Sequence, residues 1–370
     1  MSWDVRSFIE GTRCVVTGAG GTIGSELCRQ LLSLGAAEVR GLDNSELALW
    51  DLEEKIPSAQ LKCFLVDVCN EPHLVRHFNG ADFVFHAAAL KHVPFCERQP
   101  HAAIETNVRG VESVINAAVQ CGVRRVLFTS SDKAVNSTNL MGATKFVGER
   151  IMTAANNLSA DISSTKFAST RFGNVALSNG SVIPRFIEQI RNGRPLTITD
   201  REMTRFMMSI EQSVRLVIES LVLMRGGEVF VTQMPVIRLG DLADVLVKHF
   251  AEQGPLPAEN YPERILGARP GEKLYEELTT DEETARSFEL ENFIVVLPSF
   301  RNIYEMIDYS HFEQNGRPLE KVYHSHHEPA LRPDEVEAFL QDLGILGKSE
   351  PANRVEDIQR DLVSMGVSAE

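Results

Sequence analysis

Nowhere in this chain do eighteen uncharged apolar residues run together, so no segment has the length and apolarity of a transmembrane helix. The opening residues, MSWDVRSFIEGTRCVV, include acidic side chains and lack the apolar core of a secretion signal; the expectation is a soluble, cytoplasmic protein with no membrane partner. A basic excess is lacking too. With 37 Lys and Arg against 51 Asp and Glu, the net charge is −14, which argues against a general nucleic-acid surface and requires any anionic ligand to be met by local arginines. There is no CxxC pair. The six cysteines (14, 28, 63, 69, 96 and 121) all lie in the first third, on apolar patterns, and are expected to be buried free thiols rather than disulfides or a metal site. Internal repeats and low-complexity linkers are also absent.

What is present is a globular composition, 43% hydrophobic and 24% charged over 370 residues, long enough for about two domains. The apolar run RCVVT (13–17) leads into Gly18-Ala19-Gly20-Gly21-Thr22-Ile23-Gly24 and then into the helical pattern SELCRQLLSLG. In a strand–glycine–helix unit of this kind the first glycine permits a tight turn. The second lets backbone approach a pyrophosphate, and the third lets the helix pack on the strand. A second strand, AEVRGL, ends at Asp43, 19 residues beyond Gly24, where a carboxylate can bond the ribose hydroxyls of a dinucleotide. Because Asn44 and Ser45 follow rather than arginine, NAD is expected over NADP; Asp43 as N-cap of SELALWDLEE is the plainer alternative. A third strand, KCFLV, ends at Asp67 and Val68. A fourth, ADFVFH, ends at the small residues Ala87, Ala88 and Ala89, which would let a flat cofactor approach. His86 is read as a packed strand-end histidine, and Lys91 and His92 as loop residues within reach of a substrate. A long amphipathic helix, HAAIETNVRGVESVINAAVQCG, leads to the fifth strand, VRRVLFTSS. The alternation predicts an α/β fold with a Rossmann-type, doubly wound parallel sheet.

At the end of that fifth strand stand Ser131, Asp132 and Lys133: a hydroxyl, a carboxyl and an amine where a parallel sheet presents its ligand crevice. The helix opening with Met141-Gly142-Ala143-Thr144-Lys145 follows. Later, FASTRFGNV reads as a sixth strand with Arg171 and Asn174 at its end, and GSVIPRFIEQIRNGRPLTIT as a helix and a short strand. MTRF supplies Arg205, and GARPGEK supplies Arg269, Glu272 and Lys273, a set suited to a phosphate and a ribose diol. EVFVTQM reads as a strand and LGDLADVLVKHFAEQG as a helix returning to the main sheet. The histidines of YHSHH (323–327) are read as solvated, and no residue set has metal-ligand spacing.

The chain resembles the extended short-chain dehydrogenase/reductase family and, more narrowly, its bacterial nucleotide-sugar 4,6-dehydratases of polysaccharide biosynthesis. The match is carried by HAAALKHVPFCE (86–97), TNVRG (106–110), SSDKAVNSTNLMGATK (130–145), RFGNV (171–175), GSVIPRF (180–186), MTRF (203–206) and RPGEKLYEEL (269–278), spread over most of residues 13–300. The resemblance implies NAD taking a hydride from C4 of the sugar, loss of water across C5 and C6, and return of the hydride to C6, with UDP-N-acetylglucosamine as substrate. It places Asn174 near the sugar diphosphate, and Ser181 and Val182, in the GSVIPRF motif, on the substrate side. It assigns Asp132 as the acid, Lys133 as the C5 base, Ser131 as the O4 partner and Lys145 as a ligand of the nicotinamide ribose. A homo-oligomer is implied. The usual YxxxK tyrosine is Met141 here, and a thioether cannot take the O4 proton. That leaves Ser131 passing a proton onward, Lys145 itself, or water as the base. Motifs MTRFMMSIEQSV and EELTTDEETARSFELENF lean towards retention at C5.

The expected division is a cofactor domain of residues 1–176 plus 209–254, a substrate domain of 177–208 plus 255–345, and a tail helix in 346–370.

Overall fold

The computed structural model describes residues 4–159, 164–178, 181–268, 273–300, 303 and 307–346. The chain forms two compact units: residues 1–172, 211–233 and 277–323, and residues 173–210, 234–276 and 324–370.

The first unit is built on one sheet. Its strands are β1 (Arg13–Thr17), β2 (Glu38–Asp43), β3 (Leu61–Leu65), β4 (Phe83–His86), β5 (Arg125–Ser131) and β6 (Lys166–Phe172), followed by β10 (Val229–Thr232), β13 (Ser287–Glu289), β14 (Phe293–Val296) and β15 (Arg317–Pro318). Their order is β15-β13-β14-β10-β6-β5-β4-β1-β2-β3. From β3 to β10 every neighbouring pair is parallel, which gives the doubly wound, Rossmann-type arrangement the alternation predicts. Beyond β10 the sheet continues antiparallel through β14, β13 and β15.

Local chemistry sets the crossover helices. Ser45 caps the helix Glu46–Lys55 by accepting from Ala48 N at 3.2 Å, and Asn70 caps Glu71–Phe78 by accepting from His73 N. The helix Gly110–Cys121 stops where Gly122 takes the left-handed conformation at φ 64°. Apolar residues of β1, β4 and β5 (Val15, Val84, Val126, Phe128) pack with Val111, Val114 and Met152 of the helices, so the core lies directly under the strand ends that carry the polar groups. The long helix expected over 101–122 runs from Pro100 to Cys121 and contains a π-turn at Glu105–Arg109, where the side chain of Asn107 is buried.

The second unit holds a three-stranded sheet of β7 (Asn174–Val175), β9 (Thr204–Met208) and β11 (Val236–Arg238), and a pair formed by β8 (Leu196–Ile198) and β12 (Glu263–Ile265). Its core joins the helices Val182–Arg191, Leu239–Phe250 and Pro333–Asp342 through Phe186, Ile187, Leu242, Leu246, Val336 and Leu340.

The division differs from the expected one by a few residues at 173–176 and 209–210, and over two longer stretches. Residues 234–254 lie with the second unit, because the helix Leu239–Phe250 buries its apolar face in that core instead of returning to the main sheet. Residues 277–323 lie with the first unit, because ENFIVVLP forms β14 and pairs with β10. The strand expected over 167–175 also breaks: Gly173 separates β6 from β7, and a Cβ there would lie 2.8 Å from the Phe206 Cβ. The tail beyond 346 lies outside the described residues.

Candidate active site

The glycine turn follows β1. Gly18 is left-handed (φ 69°), and a Cβ on it would lie 2.6 Å from Ala88 N, so the backbone after β1 runs against the backbone after β4 with no room for a side chain. A Cβ on Gly24 would overlap the Gly18 carbonyl, and Gly21 precedes a helix, Thr22–Ser33, whose first turn has no side-chain cap. Thr22 and Ile23 open that helix. Its N–H groups are thus left to an anion, the arrangement a pyrophosphate requires.

Asp43 ends β2. Its Oδ2 accepts from Gly20 N at 3.0 Å and its Oδ1 from Ser45 N at 3.0 Å, so the carboxylate is tied to the glycine turn itself. Ser45, not Asp43, is the N-cap of the next helix. Past β3, Asp67 is exposed and accepts from Cys69 N at 2.9 Å, while Val68 is buried beside Gly110. Ala87 and Ala88 continue from β4, bonded to Thr17 through Ala87 N and Ala88 N. Gly18, Gly21, Thr22, Ile23, Gly24, Asp43, Ala87 and Ala88 therefore stand around the C-terminal ends of β1, β2 and β4, and their shape fits a dinucleotide. His86 is a core residue: fully buried, 2.7 Å from Thr17 Oγ1 through Nδ1, and held neutral because burial pushes its pKa down to about 3, with Lys145 acting in the same direction.

At the end of β5, Asp132 is buried and accepts from Ser131 Oγ at 2.6 Å, while Lys133 Nζ donates to its Oδ1 and Oδ2 at 3.1 and 3.0 Å. Ser131, Asp132 and Lys133 thus form one bonded cluster, Ser131 ending β5 and capping the 3-10 turn Asp132–Ala134 that carries the other two. The helix Leu140–Ser159 packs onto that turn through Gly142, where a Cβ would overlap the Lys133 carbonyl oxygen. This contact, which spacing alone did not reveal, explains why a glycine follows Met141.

Two residues of the same helix part company. Lys145 is buried, donates to the Thr129 carbonyl at 2.9 Å and sits 4.5 Å above the Phe128 ring. Burial pushes its pKa down to about 8, against the opposing charge of Glu149. Met141 lies in a small apolar cluster with Cys96 and Ala103. Asn107 was not among the expected site residues. Its amide accepts from Leu90 N at 2.8 Å and donates to the Leu90 carbonyl and to Thr144 Oγ1, both at 3.0 Å, so it ties the loop carrying Lys91 and His92 to the helix of Lys145.

In the second unit, Asn174 Nδ2 donates to Glu276 Oε1 at 2.7 Å and to the Phe206 carbonyl at 3.2 Å. Arg205 Nε lies 3.4 Å from Glu276 Oε1, and Glu276 Oε2 accepts from Phe206 N at 3.0 Å. The buried Glu276 thus organises Asn174 and Arg205; its place in RPGEKLYEEL is the signal that could have found it. Ser181 precedes the helix Val182–Arg191, whose first residue is Val182. Arg269 and Glu272 lie outside the described residues. Of the YHSHH histidines, His324 is buried against the Tyr275 ring at 4.0 Å instead of solvated, since that ring offers it an apolar face. Among the described residues no group of three or more His, Cys, Asp or Glu could hold a metal ion, and no helix is long and apolar enough to cross a membrane. All six cysteines are free, and burial pushes the thiols of Cys14, Cys63 and Cys69 up to about 12.

A protein of Methanocaldococcus jannaschii named an uncharacterized membrane protein is 39% identical over 347 residues, 94% of this chain and 100% of its own length. A Campylobacter jejuni protein named UDP-N-acetylglucosamine 4,6-dehydratase (inverting) is 34% identical over 302 residues, 81% of this chain and 87% of the other. A Rickettsia massiliae protein named UDP-glucose 4-epimerase is 35% identical over 343 residues, 91% of this chain and 97% of the other. Among solved structures, Pen from Bacillus thuringiensis superposes with a TM-score of 0.83 at 34% identity, over 92% of this chain and 100% of that one. The polysaccharide biosynthesis protein family matches residues 14–298, and with this sheet, glycine turn and strand-end cluster the chain belongs to that family of extended short-chain dehydrogenases/reductases.

Proposed function

We propose that this protein is an NAD-dependent nucleotide-sugar 4,6-dehydratase that converts UDP-N-acetylglucosamine to a UDP-4-keto-6-deoxy-N-acetylhexosamine. The observation that carries the reading is the Asp132–Lys133 contact of 3.0 Å at the end of β5. Elimination across C5 and C6 needs an acid for the leaving C6 hydroxyl and a base for the C5 proton at the same time. A carboxylate and an ammonium in contact share one proton, and passing it from Lys133 to Asp132 creates both groups at once. Ser131 Oγ, already directed at Asp132, is the hydroxyl for O4.

When bound in the glycine turn, the dinucleotide supplies a hydride acceptor for C4 and a donor for C6. Gly18, Gly21, Thr22, Ile23 and Gly24 would hold its pyrophosphate, Asp43 its ribose, Asp67 and Val68 its adenine side, Ala87 and Ala88 its flat face, and Lys145 the nicotinamide ribose. The diphosphate of the substrate is assigned to Arg205 and Arg269, the uridine ribose to Glu272, and further substrate contacts to Lys91, His92, Asn174, Ser181 and Val182.

The relative named a 4-epimerase supports a second reading, C4 epimerisation with the same cofactor and sugar grip. Epimerisation uses no acid–base pair at C5 and C6, and so leaves Asp132 and Lys133 without a task. Incubation with UDP-N-acetylglucosamine and no added reductant separates the two: a keto-sugar formed with loss of water is expected, whereas a C4 epimer would replace the dehydratase reading. The motifs lean towards retention at C5, as when one group removes and returns the proton, while the Campylobacter relative is named inverting. Reaction in deuterated water and the C5 configuration of the labelled product, read by NMR, decide between these outcomes.

A further inference from the structure

Arg171 on β6 is fully buried, and the reaction outlined above gives it no part. Its guanidinium makes five hydrogen bonds: Nε and Nη2 donate to Glu149 at 2.8 and 2.6 Å, Nη1 and Nη2 to Glu283 at 2.8 Å each, and Nη1 to the Leu278 carbonyl at 3.1 Å. Glu283 is fixed in turn, because its Oε2 accepts from Thr280 N at 3.0 Å within a capping box. Burying one guanidinium with two carboxylates is a weak route to stability, since desolvation offsets most of the Coulomb gain. The arrangement does, however, control one carboxylate beside Lys145.

Glu149 lies four residues after Lys145 on the helix Leu140–Ser159, the spacing at which a carboxylate and an ammonium pair on one face. Both Glu149 oxygens are instead engaged by Arg171. Lys145 donates to a backbone carbonyl and rests on the Phe128 ring. Among the described residues Lys145 makes no ion pair with a carboxylate. His86 on β4 is neutral, Met141 is packed among apolar side chains, and the Asp132 carboxylate is engaged by Ser131 and Lys133.

We propose that Arg171, braced by Glu283, is a positioning residue that draws Glu149 away from Lys145, and that the neutral Lys145 amine takes the O4 proton of the sugar where Met141 supplies no base. The inference rests on the dehydratase reading. In the step, the O4–H bond breaks and its proton forms an N–H bond on Lys145 Nζ. The O–H electron pair becomes the π bond of the C4 ketone, and hydride leaves C4 for the oxidised nicotinamide ring.

Glu149→Gln keeps an oxygen for Arg171 and removes the charge, so Lys145 should titrate at lower pH. Arg171→Lys keeps a cation but cannot hold Glu149 with two parallel bonds, so the carboxylate turns to Lys145 and the titration should move to higher pH. Each shift is expected to be about one pH unit. The Lys145 titration is read by carbon-13 NMR of lysine-labelled protein without substrate, its resonance assigned by its loss in Lys145→Arg. The acidic limb of the kcat/KM profile should follow the same two directions. A merely structural role would lower activity alike at every pH in both variants. A Lys145 titration unmoved by Glu149→Gln overturns the inference, and that variant suffices should Arg171→Lys fail to fold. An NMR shift that the pH–rate profile does not follow overturns the proton-acceptor role. If the resonance moves as expected but UDP-N-acetylglucosamine gives no keto-sugar, the dehydratase reading fails and the positioning of Glu149 stands.

Discussion

Two turns of the first unit occupy equivalent places, each at the C-terminal end of a parallel strand, and they are built from opposite materials. The turn after β1 is made of backbone: Gly18 approaches the Ala88 amide, Gly20 N donates to Asp43, and the helix starting at Thr22 presents uncapped N–H groups. The turn after β5 is made of side chains: Ser131, Asp132 and Lys133 bond to one another over distances of 2.6 to 3.1 Å. Backbone donors suit a ligand that is gripped and kept, because they carry no proton to exchange. Ionisable side chains suit a ligand that is altered, because they do.

Substitutions should separate the two turns, beginning with the largest effect. Lys133→Ala should lower dehydration by about a thousandfold, the scale of a general-base contribution, with NAD affinity unchanged by titration calorimetry. Normal keto-sugar formation by this variant would remove Lys133 from the chemistry. Gly18→Ala forces a side chain into a left-handed position and against Ala88 N, with strain of about 1–3 kcal/mol; NAD affinity should fall roughly ten- to hundredfold. Its Asp132–Lys133 cluster should survive, so saturating NAD should restore much of the rate. Asp43→Ala removes a charged acceptor and should weaken NAD binding roughly tenfold; an unchanged Kd would refute the ribose role.

The smallest effect concerns the core between the turns. His86 has its folded pKa depressed to about 3 from an ordinary 6.5, so the unfolded chain binds the extra proton first. The stability it contributes is therefore full above pH 6.5 and is lost as the pH falls from there towards 3. His86→Asn, which keeps a partner for Thr17 Oγ1, should flatten the fall in Tm over that acid range by a few degrees, measured by calorimetry. A wild-type Tm independent of pH across that range would contradict a neutral, buried His86.

The backbone-built turn was legible in the sequence because its requirements are local. Glycines at 18, 21 and 24 and a carboxylate 19 residues later describe a strand, a turn and a helix in one span. The Ser131–Lys133 cluster was legible as three adjacent residues, but not its support. Gly142 shows its purpose only when the Lys133 carbonyl is found against it, and Asn107 only when Leu90 and Thr144 are in place. His324 sits in a histidine-rich stretch whose sequence carries no sign of burial, and only the fold sets the Tyr275 ring beside it.

By itself, then, the sequence determined the alternation of strands and helices through β6, the glycine turn and the three polar residues at the end of β5, since each follows from hydrophobic period or from spacing within a few turns of chain. The tertiary structure alone decided that residues 277–323 extend the main sheet, that Leu239–Phe250 belongs to the second core, and that Arg171 takes both oxygens of Glu149 and leaves Lys145 to a carbonyl. Those contacts join residues 22 and 112 positions apart in the Arg171 network. Over such distances no local periodicity constrains which partners meet, and only the packing of the sheet brings them together.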